Sequence, residues 1–114
     1  MKFEKKEPPR TYRVGQNNQI EISDCGSIYL NANEQMTFKT SSGKEYDFCA
    51  KSWGFYATPS VNGRLKNQGF RTALVRNSLG KYYVMVVEPE KMKEFETYLH
   101  EEKSCVIEWL DARA

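Results

Sequence analysis

The chain has 114 residues, of which 28% are charged, 39% hydrophobic and 13% aromatic, and its net charge is +2. That length carries a hydrophobic core without a metal or disulfide staple, and that composition excludes a disordered chain. No apolar run approaches the roughly 20 residues needed to span a bilayer, and the three scattered cysteines, Cys25, Cys49 and Cys105, form neither a disulfide framework nor a zinc motif.

The opening MKFEKKEPPR is charged, contains two prolines and lacks the apolar stretch of a signal peptide. It predicts a disordered tail over residues 1–10 and a cytoplasmic protein. The remainder, 11–114, reads as a single α+β domain. TYRV (11–14) is a short strand, GQNN (15–18) a turn, and QIEIS (19–23) a half-buried strand broken at SDCGS. SIYLN (27–31) resumes the strand and NANEQ turns the chain. MTFKT (36–40), SSGK and EYDFCAKSW (45–53) form a hairpin. In it Tyr46, Phe48 and Ala50 alternate with Asp47, Cys49 and Lys51, one set for the core and one for water. FRTALVRN (70–77) is a strand. YYVMVVE (82–88), apolar on both faces, is expected to be central and well covered.

EPEKMKEFETYLHEEK (88–103) is the one strong helix, with Pro89 in its first turn and acids at its positive end. Met92, Phe95 and Leu99 form its apolar stripe. CVIEWLD (105–111) is the last strand. The fold class is therefore α+β: a mostly antiparallel sheet, with curled or barrel-like closure left open, and one amphipathic helix near the C-terminus. The ending fits either a parallel crossover or a helix laid over an antiparallel sheet. Cys49 and Cys105, inside apolar runs, are expected to be buried, and all three thiols reduced.

Charge is unevenly placed. From Phe48 through Val87 there is no acid, while Lys51, Arg64, Lys66, Arg71, Arg76 and Lys81 contribute six positive charges. Residues 88–114 hold eight acids against four bases. A basic region of this kind concentrates an anionic ligand. Inside it, KSWGFYATPSVNGRLKNQGF (51–70) sets Trp53, Phe55 and Tyr56 beside a turn-rich segment. An aromatic face stacks on a sugar or a nucleobase, and a guanidinium grips phosphate or carboxylate. The candidate ligand-binding residues are Trp53, Tyr56, Thr58, Asn62, Arg64, Lys66 and Arg71. The Asn62-Gly63 turn is expected to make a hairpin that returns Arg64 toward the aromatics. The alternative role for the rings is to anchor the loop on the core.

His100 is the only histidine, which excludes a two-histidine metal site, and its place near the helix end suits the C-terminal dipole. No P-loop, GxSxG, HExxH or dinucleotide fingerprint is present, so no cofactor, metal or catalytic residue is implied.

The stretch GKEYDFCAKSWGFYATPSVNGRL and the closing VIEWLD resemble a family of small, largely uncharacterised bacterial proteins. That resemblance spans residues 27–111, implies an association with surface-polysaccharide gene neighbourhoods, and points to sugars or nucleotide-sugars as the anionic ligand. It brings no catalytic residues. The expectation is a non-catalytic binding or accessory module for an anionic, sugar-containing ligand or an acidic partner surface. Its rivals are a nucleic-acid-binding domain, for which +2 is a low charge, and a small enzyme of bacterial polysaccharide metabolism.

Overall fold

A computed structural model describes all 114 residues. Eight strands and two helices follow in the order β1 (Lys2–Val14), β2 (Ile20–Tyr29), β3 (Gln35–Lys39), β4 (Glu45–Lys51), β5 (Gly54–Ala57), α1 (Arg64–Asn67), β6 (Arg71–Asn77), β7 (Tyr82–Val87), α2 (Met92–Glu101) and β8 (Ser104–Trp109). The strands make three sheets, β1-β2, β3-β4-β5 and β7-β6-β8, and none closes into a barrel. By backbone contacts the chain divides into two compact units, 1–37 with 47–57, and 38–46 with 58–114. The β3–β4 hairpin contributes its tip to the second unit and its base to the first.

In the first unit, the predicted disordered tail is instead part of a strand. β1 pairs antiparallel with β2, Phe3 opposite Ile28 and Tyr12 opposite Ile22. Composition alone hides this, because the ordering comes from cross-strand partners. Lys6 Nζ lies 2.7 Å from the Asp24 carboxylate, Arg10 Nη2 lies 3.3 Å from it, and Lys2 sits over the Tyr29 ring. The Lys6 hydrogen bond most of all, with the Gly26 N–H and Arg10, holds the Asp24 carboxyl below its ordinary pKa. The prolines are accommodated where the ladder lets go, between Lys5 and Arg10, since Pro has no N–H to give. Gly26 is required by close approach, because a Cβ there would lie 2.4 Å from the Glu4 carbonyl oxygen.

The second unit carries the core. Ala73, Val75 and Leu99 are buried, with Met85, Phe95, Val106 and Trp109 packed around them. The predicted α2 stripe therefore puts Phe95 and Leu99 into the core, and a 3-10 turn at Pro89–Lys91 leads into the helix. β6 is the central strand, pairing antiparallel with both β7 and β8. β7 and β8 therefore run parallel to each other on either side of β6 and are joined through α2, a crossover with one antiparallel strand between its ends. β7 is an edge strand, not the central one: Tyr82, Tyr83 and Val84 are exposed. Its apolar character is divided along its length, the Tyr82–Val84 half being exposed while Met85 packs on the core and Val87 is buried.

The β3–β4 hairpin forms as predicted, and Gly43 turns it at φ 90°. The expected division into one core face and one wet face does not hold: Asp47, Cys49 and Ala50 are buried, while Tyr46, Phe48 and Lys51 are half-buried. Cys25 and Cys105 are exposed and Cys49 is buried, all as free thiols. Cys105 departs from expectation because it lies opposite the exposed Arg76, on the sheet face away from Val75 and Val106. No helix is long and apolar enough to cross a membrane.

Candidate functional site

The aromatic platform is built by a hairpin that the chain pattern conceals. β4 runs to Lys51, Ser52 and Trp53 form a two-residue turn, and β5 returns from Gly54, with Lys51 opposite Gly54 and Cys49 opposite Tyr56. Period-2 alternation then puts Lys51 and Tyr56 on one face and Phe55 on the other. Trp53, at the tip, is 72% exposed and Phe55 66%. The Trp53 and Tyr56 ring centroids are 6.1 Å apart with planes tilted by 32°. Lys51 Nζ lies 5.9 Å from the Tyr56 centroid and donates to Asn33 Oδ1 at 2.8 Å. A cation thus lies beside the Tyr56 ring, which in turn neighbours Trp53, on an exposed hairpin end. This arrangement offers stacking area and one positive charge, and no acid or base placed for proton transfer.

The other candidates belong to the second unit. Asn62-Gly63 does not close a hairpin; it leads into α1. Gly63 N and Leu65 N donate to the Ser60 carbonyl, and Arg64 N donates to Ser60 Oγ at 3.2 Å. The expected return of Arg64 by a local hairpin is therefore replaced by a helical turn anchored on the fully buried Leu65. Arg64 and Lys66 are exposed on α1, Thr58 is half-buried, and Asn62 donates from Nδ2 to the Arg113 carbonyl at 3.2 Å.

Arg71 does structural work. Its Nε donates to Asp111 Oδ2 at 3.1 Å, and its guanidinium carbon lies 4.0 Å from the Trp109 centroid. Asp111, 3% exposed, also accepts the Thr72 backbone N–H at 2.9 Å. Burial pushes the Asp111 carboxyl up, but the Thr72 N–H and the Arg71 guanidinium outweigh it and hold it below the usual carboxylate range. Sequence reasoning missed this cluster because its members lie 40 residues apart and nothing local pairs them. The trace of it is an Arg opening one predicted strand and an Asp closing another.

At the start of α2, Glu88 accepts from Ser42 and lies 3.5 Å from Lys91, while Lys44 pairs with Glu90 and donates to the Gly69 carbonyl at 3.0 Å. Both glutamates are held below their ordinary pKa, Glu88 chiefly by Ser42 and Glu90 chiefly by Lys44. No group of three or more His, Cys, Asp or Glu side chains is gathered to hold a metal. No family model, curated protein or solved structure matches the chain.

Proposed function

We propose that this protein is a cytoplasmic, non-catalytic binding module that takes an anionic, sugar-containing ligand on the Lys51–Trp53–Tyr56 platform. The observation that carries the reading is the exposed Trp53 ring beside Tyr56 with Lys51 at its border. A sugar's C–H face stacks on such rings and its carboxylate or phosphate meets the lysine. Arg71 drops out of the ligand set because Asp111 and Trp109 already hold it.

A second reading is an acidic partner protein. Phe55 favours it, since this ring is exposed on the opposite face of the same edge strand, where a flat sugar on the platform does not reach. The test is tryptophan fluorescence and thermal shift against acidic sugars and nucleotide-sugars, with wild type, Trp53→Ala and Phe55→Ala. A sugar ligand quenches the fluorescence of wild type and of Phe55→Ala but not of Trp53→Ala. Absence of any shift with every sugar tried rejects the first reading. Binding to a protein that both variants weaken supports the second.

A further inference from the structure

The sheet β7-β6-β8 has two edges, and they are finished differently. β8 is irregular, with a register shift between Leu74 and Val75 of its partner strand, and it carries Glu108 paired to Arg113. A bulge and charges are the usual means of keeping an edge from pairing. β7 has neither. Its register with β6 is continuous from Arg71 opposite Val87 to Arg76 opposite Tyr82. Its sequence, YYVMVV, holds no charge, proline or glycine. Tyr82 is 57%, Tyr83 48% and Val84 62% exposed. Such an edge is a template for another strand.

We infer that β7 pairs antiparallel with β7 of a second copy of this chain, joining two three-stranded sheets into one of six. The edge is self-complementary in shape. Tyr83, Met85 and Val87 lie opposite Val75, Ala73 and Arg71, so they share the helix-covered face. Beside them, Met85, Val87, Phe95 and Tyr98 line an open groove of about 550 Å³, bordered by Glu88, Lys91 and Glu94. Residues directly opposite in an antiparallel pair share a face. A two-fold axis at Met85 therefore sets Tyr83 of each copy opposite Val87 of the other, with its ring at the groove. The charges agree with this direction. Each copy's exposed Lys81 arrives at the groove end of the other, where exposed Glu94 stands beside the Glu88–Lys91 pair. The parallel alternative brings Lys81 beside Lys81 and turns the two helix-covered faces to opposite sides of the sheet. An isologous contact of this kind closes at two copies.

Sedimentation equilibrium over a dilution series tests the pairing. Wild type is expected at twice 13.3 kDa, falling to the single-chain mass in Val84→Lys and in Tyr83→Ala. Leu79→Lys, on the exposed β6–β7 turn, is expected to leave the pair intact. Hydrogen exchange on wild type supplies a measurement free of folding effects: β7 amides that do not bond to β6 are protected at high concentration and lose protection on dilution. A single-chain mass at every concentration, a larger open assembly, or a pair that survives both Val84→Lys and Tyr83→Ala overturns the inference.

Discussion

The two compact units are built on opposite principles. The second buries Leu65, Phe70, Ala73, Val75, Val87 and Leu99, whereas the buried hydrophobics of the first are only Cys49 and Ala50. The first keeps its larger apolar side chains outward: Phe3, Tyr12, Tyr29, Trp53 and Phe55 are all exposed. A two-stranded ribbon is marginal by itself in water. β1–β2 is held by a long ladder and by charges gathered on Asp24, without a buried apolar face of its own. The difference teaches where the apolar core is concentrated: the second unit buries it, while the first turns Trp53 and Phe55 outward on a hairpin with little core behind it.

The comparison breaks most readily in the core. Leu99→Ala removes a buried side chain packed on Ala73 and Val75 and is expected to cost about 2–4 kcal/mol. A denaturant titration showing less than about 1 kcal/mol would mean that the site collapses onto the gap, or that the second unit is not the one carrying stability.

Next in size is the Asp111 cluster. Asp111→Ala strips the carboxylate from Arg71 and from the Thr72 N–H and is expected to cost about 3 kcal/mol. The pH dependence has a definite sign. A carboxyl whose folded pKa is depressed contributes stability that is fully present above its unfolded value, near pH 3.9 for Asp, and is lost as pH falls through the folded value. Wild type should therefore lose stability below about pH 4 more steeply than Asp111→Asn. Equal slopes would remove the linkage.

A smaller and opposite effect is expected next to it. The Thr72 hydroxyl is fully buried and finds no hydrogen-bond partner, although the Thr72 amide is satisfied by Asp111. Thr72→Val keeps the shape and removes the unmet polar group, so it should raise stability by about 1 kcal/mol. A loss in the unfolding midpoint would show that the hydroxyl has a partner in solution.

Much of the fold was legible because it rests on local pattern. The α2 stripe, the Gly43 hairpin and the β6, β7 and β8 segments follow from periodicity and turn residues within a dozen positions. What stayed hidden depends on partners far along the chain. The charged N-terminus becomes a strand through its ladder with β2, where Asp24 and Tyr29 receive its lysines and arginine. β7 reads as central because apolar character on both faces signals coverage, and sequence does not say whether β6 or β7 sits in the middle. Of the candidate site, the rings were legible as a group. Their hairpin was not, since Asn62-Gly63 is the stronger turn signal and the turn falls at Ser52-Trp53 instead. The tie between Arg71 and Asp111 stayed hidden for the same reason as the tail's pairing, the partner lying on the far side of α2 in sequence.

The smallest effect on stability and the largest on binding should coincide at Trp53. The ring lies at a hairpin tip, 72% exposed, and its contact within the fold is the tilted pair with Tyr56. Its truncation leaves no cavity and no unpaired polar group, so Trp53→Ala should change the unfolding free energy by no more than about 0.5 kcal/mol. A stacked ring is worth about 1–3 kcal/mol by alanine substitution, so affinity for an anionic ligand on the platform should fall by about 5- to 150-fold. Lys51→Ala should weaken the same ligand less, and with a salt dependence that Trp53→Ala leaves in place, because the lysine acts as a charge and the ring as a surface. If Trp53→Ala instead lowers stability by more than about 1 kcal/mol, the ring is an anchor of the first unit and the division between core and recognition fails at this residue.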